Sequence, residues 1–249
     1  MSPGSTTSSE ARQLFVTTRE DQCSMKRIVI PELLDDDLGT PEEIRDSLLD
    51  LRGINRKFGG FASVSRLIES VARTHRKNSL ELLDVGGGTG DVVSNASQNL
   101  AGKVQLRATI LDRALTHLNG TRENFTRVAG DAVSLPFGFG SFDVVSCNLF
   151  LHHLEPEQIA VFFNEALRVA RLAVIASDIR RNRFHWIAAH VGKLKYRSRL
   201  TRHDAPVSIR RAYTITEARA MARNSKASSF IVRPHYFQRF GLILWKAPK

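Results

Sequence analysis

Apolar residues recur along this chain at two different periods, and the change falls near residue 80. Over residues 31–76 the pattern is helical. Thr40-Pro41-Glu42-Glu43 offers an N-cap, a proline in the first turn and early acids, and Ile44, Leu48 and Leu51 then line one face. After Gly59-Gly60, the spacing of Val64, Leu67, Ile68 and Val71 predicts a second helix. From residue 80 short apolar runs take over, at 80–85, 104–111, 142–149 and 172–177, separated by helical or turn segments. Such alternation predicts parallel strands with helices on both faces of the sheet. The chain ends differently: runs at 228–233 and 237–245 are joined by a turn around Pro234 that leaves no room for a crossover. A parallel connection needs about a dozen residues, so the terminal pair must be an antiparallel hairpin.

Three stretches depart from this plan. Residues 1–24 are Ser/Thr-rich at the start and then charged, without the apolar core of a signal peptide, and read as a flexible tail or as an extension upstream of a true start at Met25. Residues 25–79 form an N-terminal helical cap. Residues 180–213 interrupt the alternation, with Phe184, Ile187, Val191 and Leu194 at helical spacing among basic residues.

Composition changes the picture mainly through charge. The 249 residues suffice for one substantial core, and no apolar run approaches the roughly 20 residues of a membrane span. The two cysteines, Cys23 and Cys147, give neither a disulfide framework nor a metal-ligand cluster, so no metal is expected and a reducing, cytoplasmic setting is. Of the net charge of +11, residues 180–211 contribute +9, with ten Lys/Arg against Asp204. A basic surface of this kind attracts carboxylates, phosphates, nucleic acid or an anionic membrane, although many such runs are only solvated faces.

The candidate chemistry lies in Glu81-Leu82-Leu83-Asp84-Val85-Gly86-Gly87-Gly88-Thr89-Gly90-Asp91, placed after a strand and before a helix. Glycines there let backbone approach a ligand at the carboxyl end of the first strand. The dinucleotide pattern requires a third glycine where this chain has Asp91, and a carboxylate would face a pyrophosphate unfavourably. Asp112 ends the second strand, where an acid accepts ribose hydroxyls under either nucleotide reading.

With Gly130-Asp131-Ala132, Leu135-Pro136-Phe137, Ser141-Phe142-Asp143-Val144-Val145 and Asn148-Leu149-Phe150-Leu151-His152-His153-Leu154 in order behind that loop, the chain resembles the class I S-adenosylmethionine-dependent methyltransferases of the ubiquinone-biosynthesis-like, small-molecule type. The resemblance implies an α/β, Rossmann-like seven-stranded sheet with an antiparallel terminal hairpin, helices on both faces and added N-terminal helices. Residues 80–249 would then be the methyltransferase domain, with 180–213 a lid-like insertion. It further implies S-adenosylmethionine as cofactor, held by Asp84, Gly86, Gly88, Gly90, Asp112, Arg113, Asp131, Ala132, Asn148 and Leu149. Gly87 departs from the family's usual small or polar residue at its place.

For a hydroxyl acceptor a proton must also leave. In related O-methyltransferases the first histidine of such a pair acts as base, which makes His152 the expected base and Asp178 the acid that orients it. The alternative is that His152 packs on the cofactor or caps a helix while Asp178 pairs with Arg180 or Arg181. His153, Trp186, Arg199, His203 and Tyr213 are the expected acceptor-binding set. The expected acceptor is a small molecule, acidic or lipophilic, such as a quinone-like, aromatic or polyketide secondary metabolite. The aromatic and basic mixture of the insertion also permits transient membrane contact. The rival is an RNA or protein methyltransferase that binds through the basic insertion. Against stable nucleic-acid binding stands Asn148-Leu149-Phe150-Leu151, which lacks the Asn/Asp-Pro-Pro-Tyr/Phe pattern that holds a flipped base.

Overall fold

The computed structural model of the chain describes residues 25–118 and 125–247, so the 1–24 tail and Cys23 lie outside it. Seven strands form one sheet: β1 (Ser79–Val85), β2 (Gln105–Asp112), β3 (Thr126–Ala129), β4 (Phe142–Asn148), β5 (Ala170–Ile179), β6 (Ser229–His235) and β7 (Arg239–Trp245). Their order across the sheet is β3-β2-β1-β4-β5-β7-β6. The first five are parallel, and β7 runs antiparallel to both β5 and β6. The hairpin turn lies at 236–238, where Phe237 and Gln238 take left-handed backbone angles of 53° and 56°. Pro234 therefore stands inside β6 rather than at the turn. It is tolerated there because β6 is an edge strand and a missing N–H costs no interior ladder bond. β3, which the apolar runs do not reveal, is a four-residue edge strand with mostly exposed side chains.

Two N-terminal helices precede the sheet: α1 (Pro41–Lys57) and α2 (Gly60–Thr74). Thr40 caps α1 in a reciprocal capping box with Glu43. Residues 31–40, by contrast, are turn and extended chain rather than helix. The apolar face of α2, with Val64, Leu67, Ile68 and Val71 buried, packs on one side of the sheet together with α3 (Asp91–Asn99). On the other side Ile159, Phe162, Phe163 and Ala166 of α4 (Pro156–Val169) meet Ala218 and Ala222 of α7 (Ile215–Arg223). Burying the Val, Leu, Ile and Phe side chains among these stabilises the fold by roughly 1.5–3 kcal/mol each.

The 180–213 stretch forms α5 (Arg183–Gly192), a 3-10 turn (Lys193–Lys195) and α6 (Arg199–Arg211). With α1 and residues 29–36 it roofs a cavity of about 1710 Å³ over the carboxyl ends of the parallel strands. Ligand pockets commonly measure 300–1,000 Å³, so two molecules can be enclosed side by side. Leu48 and Leu51 of α1 face this cavity and are only half-buried, while the side of α1 that reaches protein carries Ser47 and Asn55.

Roof and sheet are tied by Arg239, 1% exposed at the start of β7. Its guanidinium donates to Phe58 O, to Asn55 Oδ1 and to Asn148 Oδ1, at 3.0, 3.0 and 3.3 Å. Burial lowers its pKa to about 10, with the Asp178 carboxylate opposing the shift. Replacing Arg239 with methionine removes all three bonds and leaves Phe58 O and Asn148 Oδ1 without their donor, while Asn55 Oδ1 keeps Asn148 Nδ2, and a loss of about 3 kcal/mol is expected in urea unfolding. An unchanged midpoint would refute the tie.

Candidate active site

The glycine loop folds as it does because three of its residues are left-handed: Gly86, Gly88 and Gly90, with φ of 66°, 50° and 75°. Gly86 and Gly87 donate their N–H groups to Leu111 O, and Gly88 N–H donates to Asp112 Oδ2 at 2.9 Å. The departure at Gly87 has a steric cause. A Cβ there would lie 2.8 Å from both Asp84 Oδ2 and Ile110 Cγ2. Gly90 caps α3 and stands just outside the cavity lining, whereas Gly86, Gly87, Gly88 and Thr89 form part of it.

Around the loop, Asp84, Asp112, Arg113, Asp131, Ala132, Asn148 and Leu149 all line the same cavity. Asp84 is buried, accepts a 2.5 Å hydrogen bond from Ser146 Oγ, and has its pKa raised to about 7 by burial, with the Asp112 charge adding to the effect. A buried carboxylate raised in this way at a cavity wall is suited to a ligand carrying positive charge. Leu149 holds φ at 53°, a rare conformation for a branched side chain, while its N–H donates to Ser177 O.

β4 and β5 pair with Asn148 opposite Ser177, so Asp178, still within β5, meets the 3-10 turn Leu151–His153 just past the end of β4. His152 is 3% exposed and Asp178 1%. His152 Nδ1 lies 2.8 Å from Asp178 Oδ1, and the His152 backbone N–H donates to Asp178 Oδ2 at 3.2 Å. Burial works to raise the Asp178 pKa, but the charge and hydrogen bond of His152 and the Ile179 N–H outweigh it, so the carboxyl falls below its ordinary range. The acid therefore stays ionised beside the His152 imidazole, which turns Nδ1 toward it and Nε2 away from it. Arg181 takes a partner other than Asp178. It binds Glu217 and the carbonyls of Met25 and Ala212.

His152 Nε2 faces Glu32 Oε1 at 3.7 Å. Glu32, 5% exposed, has no hydrogen-bond partner for that oxygen. Burial pushes its carboxyl up to about 7, aided by Asp35 and Asp204 and opposed by His153 and Arg211. His153 also lines the cavity, with Nδ1 2.9 Å from Asp35 Oδ1, and Asp35 pairs with Arg211 at 3.0 Å. Against the effect of burial, these two partners lower the Asp35 pKa to about 2. One ligand atom from each of Glu32, His152 and His153 lies within 4.8 Å of the others, the spacing of a metal cluster. The Arg211 guanidinium, 3.5 Å from Glu32 Oε1, already brings a positive charge to that spot, and we assign no metal to it.

Four residues of the expected acceptor-binding set do not line the cavity. Trp186 packs with Ile179, Ile209 and Ala212, its ring 4.2 Å from that of His190. Arg199 is exposed and pairs with Glu43 at 2.9 Å, and His203 bonds its neighbour Asp204. Tyr213 is buried and donates its hydroxyl to Leu154 O at 2.7 Å. In each case helix phase or a local partner turns the side chain away. Conversely Glu32, Asp35, Asn55, Arg211 and Arg239 were not foreseen. Only the acidic run Asp35-Asp36-Asp37 offered any signal, because the others come from elements remote in sequence.

Residues 82–172 match the family described as a methyltransferase domain, rather more than a third of the chain. A demethylmenaquinone methyltransferase of Roseiflexus castenholzii is 37% identical over 94 residues, and one of a Roseiflexus species is 35% identical over 94. Each alignment covers 36% of this chain, and the chain spans only 38% of the length of either relative. Among solved structures, a SAM-dependent methyltransferase from Aquifex aeolicus aligns with a TM-score of 0.57 at 15% identity, over 84% of this chain and 100% of that one. The plantazolicin methyltransferase BpumL, in complex with a pentazolic desmethylPZN analog and SAH, aligns with a TM-score of 0.64 at 12% identity, over 87% of this chain and 95% of its own. The chain thus has the class I methyltransferase fold, and its residues 82–172 are similar to the methyltransferase domain family.

Glu32 gives a stability test. Its folded pKa of about 7 exceeds the ordinary 4.5, so the folded state holds a proton that the unfolded state has lost between those values. Stability therefore falls as pH rises through that window, and the cost is complete above it. Glu32→Gln is expected to stabilise the protein at pH 8.5, by on the order of 1–3 kcal/mol, and to change little at pH 4.5. Equal effects at both pH values in urea melts would show that no such proton is held.

Proposed function

We propose that this chain is an S-adenosylmethionine-dependent methyltransferase that methylates a hydroxyl of a small aromatic, quinone-like or polyketide-like molecule, with His152 as general base. The observation that carries the reading is the buried Asp178–His152 pair opening into the same cavity as the glycine loop and Asp112. S-adenosylmethionine, when bound, supplies an electrophilic methyl group on a sulfonium.

The residues present fit that molecule. Asp112 and the Gly88 loop suit a ribose, Asp131 and Ala132 an adenine, and the raised Asp84 carboxyl a cationic amino-acid end. The cavity lining also carries Leu48, Leu51 and Ile54, apolar side chains that suit an aromatic or lipophilic acceptor. His152 accepts the acceptor's proton at Nε2, and Asp178 stabilises the imidazolium that results. Glu32, beside Nε2 and ionised in part near neutral pH, adds negative charge that favours the protonated imidazole. The similarity of 94 residues to demethylmenaquinone methyltransferases supports a quinone-like acceptor.

His152→Ala is expected to lower kcat by about 10²–10⁴-fold while S-adenosylmethionine affinity by calorimetry stays within about threefold of wild type. Gly87→Ala has the opposite profile, weakening cofactor binding by about tenfold as the new methyl group displaces Asp84 or Ile110. With methyl-labelled S-adenosylmethionine and a host lysate, label is expected in the solvent-extractable fraction and is expected to vanish with His152→Ala. Label in precipitated RNA or protein would overturn the small-molecule assignment and leave the fold standing.

A further inference from the structure

The lid helix wears its apolar residues on the outside. Phe184, Ile187, Val191 and Leu194 follow one another at intervals of three, four and three residues, and are 68%, 52%, 75% and 90% exposed. Ala189 is the one residue of α5 that is fully buried. Isolated exposed apolar side chains are ordinary on protein surfaces, but a continuous stripe of four along one helix and its terminal turn marks a contact surface.

The charges beside the stripe have one sign. No Asp or Glu occurs between Asp178 and Asp204. Arg183 and Lys195 are exposed, Lys193 is half-exposed, and among the described residues none of the three has an ion-pair partner. Other cations of the basic stretch are neutralised within the fold: Arg181 by Glu217, Arg199 by Glu43, and Arg211 by Asp35. Positive charge has thus been left open next to the exposed apolar residues. The stripe also adjoins the cavity, since Phe184, Val191 and Lys195 line it together with Phe58 and Phe237, themselves 39% and 44% exposed.

We infer that α5 and its terminal turn dock the protein on an anionic lipid bilayer, with Phe184, Ile187, Val191 and Leu194 entering the acyl boundary and Arg183, Lys193 and Lys195 meeting the headgroups. Aliphatic side chains ringed by unpaired cations suit that boundary, whereas a nucleic acid offers phosphates and stacking faces but nothing to take up Ile187, Val191 and Leu194. The cavity mouth then opens toward the membrane, so a lipophilic acceptor can enter without crossing water. The docking surface stands independently of the methyl-transfer reading.

The test is co-sedimentation of the full chain with phosphatidylcholine vesicles, with and without phosphatidylglycerol. Binding is expected only where phosphatidylglycerol is present, and it should weaken as salt is raised. The double variant Ile187→Asp/Leu194→Asp touches neither cavity nor core. It is expected to lose binding by at least about tenfold while its thermal melt and S-adenosylmethionine affinity match wild type. Lys193→Glu/Lys195→Glu is expected to lose the preference for anionic lipid. Wild-type protein that ignores anionic vesicles, or a double-aspartate variant that still binds them, overturns the inference. So does a stripe that proves to hold two copies together, seen as a dimer that the aspartates dissociate in protein that ignores vesicles. Vesicle binding without any methyl transfer would leave the surface in place and count against the enzymatic reading alone.

Discussion

The site depends on the parallel register of β4 and β5, which carries β5 two residues beyond the end of β4 and so brings Asp178 and His152 together in a place with almost no water. A buried carboxylate is costly unless it is paired. Here it is satisfied three times, by the imidazole, by the His152 N–H and by the Ile179 N–H. Each of those groups is also held in place by the carboxylate. The same strand end carries Asn148, which accepts from Arg239 and thereby connects the catalytic edge of the sheet to α1 above it.

From that edge the cavity acquires two unlike ends. Near β1 and β2, left-handed glycines bring backbone close to the space that a ligand fills, and Asp84 and Asp112 give the wall negative character. Near the roof, Glu32, Asp35, His153 and Arg211 form a compact network around the free nitrogen of His152. Asp84 and Glu32, one at each end, are both raised to about 7 by burial. Ionising either carboxyl is costly at neutral pH, and the cost is relieved by positive charge arriving nearby: a cationic ligand for Asp84, a protonated His152 for Glu32.

The roof is built on different terms from the sheet. Its helices meet the body through polar and charged contacts, such as Arg239 of β7 donating to Asn55, and Arg211 donating to the carbonyl of His153. Much of its apolar surface is directed elsewhere, either into the cavity from α1 or outward from α5. Such an arrangement leaves the lid less firmly anchored than the core, which suits a cover that must admit ligands.

The sequence by itself determined the strand-and-helix alternation, the terminal hairpin, the capping of α1, the buried face of α2 and the glycine loop. All of these are local: they follow from period, turn chemistry and propensity over a few residues, and four ordered motifs made the family legible. It also named both members of the Asp178–His152 contact. β3 escaped because four exposed residues carry no apolar period, and Pro234 was misread because proline marks a turn in most places but not on an edge strand. Only the tertiary structure decided which side of each roof helix meets the cavity. A helical period says that a face exists, not which neighbour it meets, so Trp186, Arg199, His203 and Tyr213 fell outside the cavity. Glu32 joined His152 from 120 residues away along the chain, and its raised pKa exists only because folding removes water from around it.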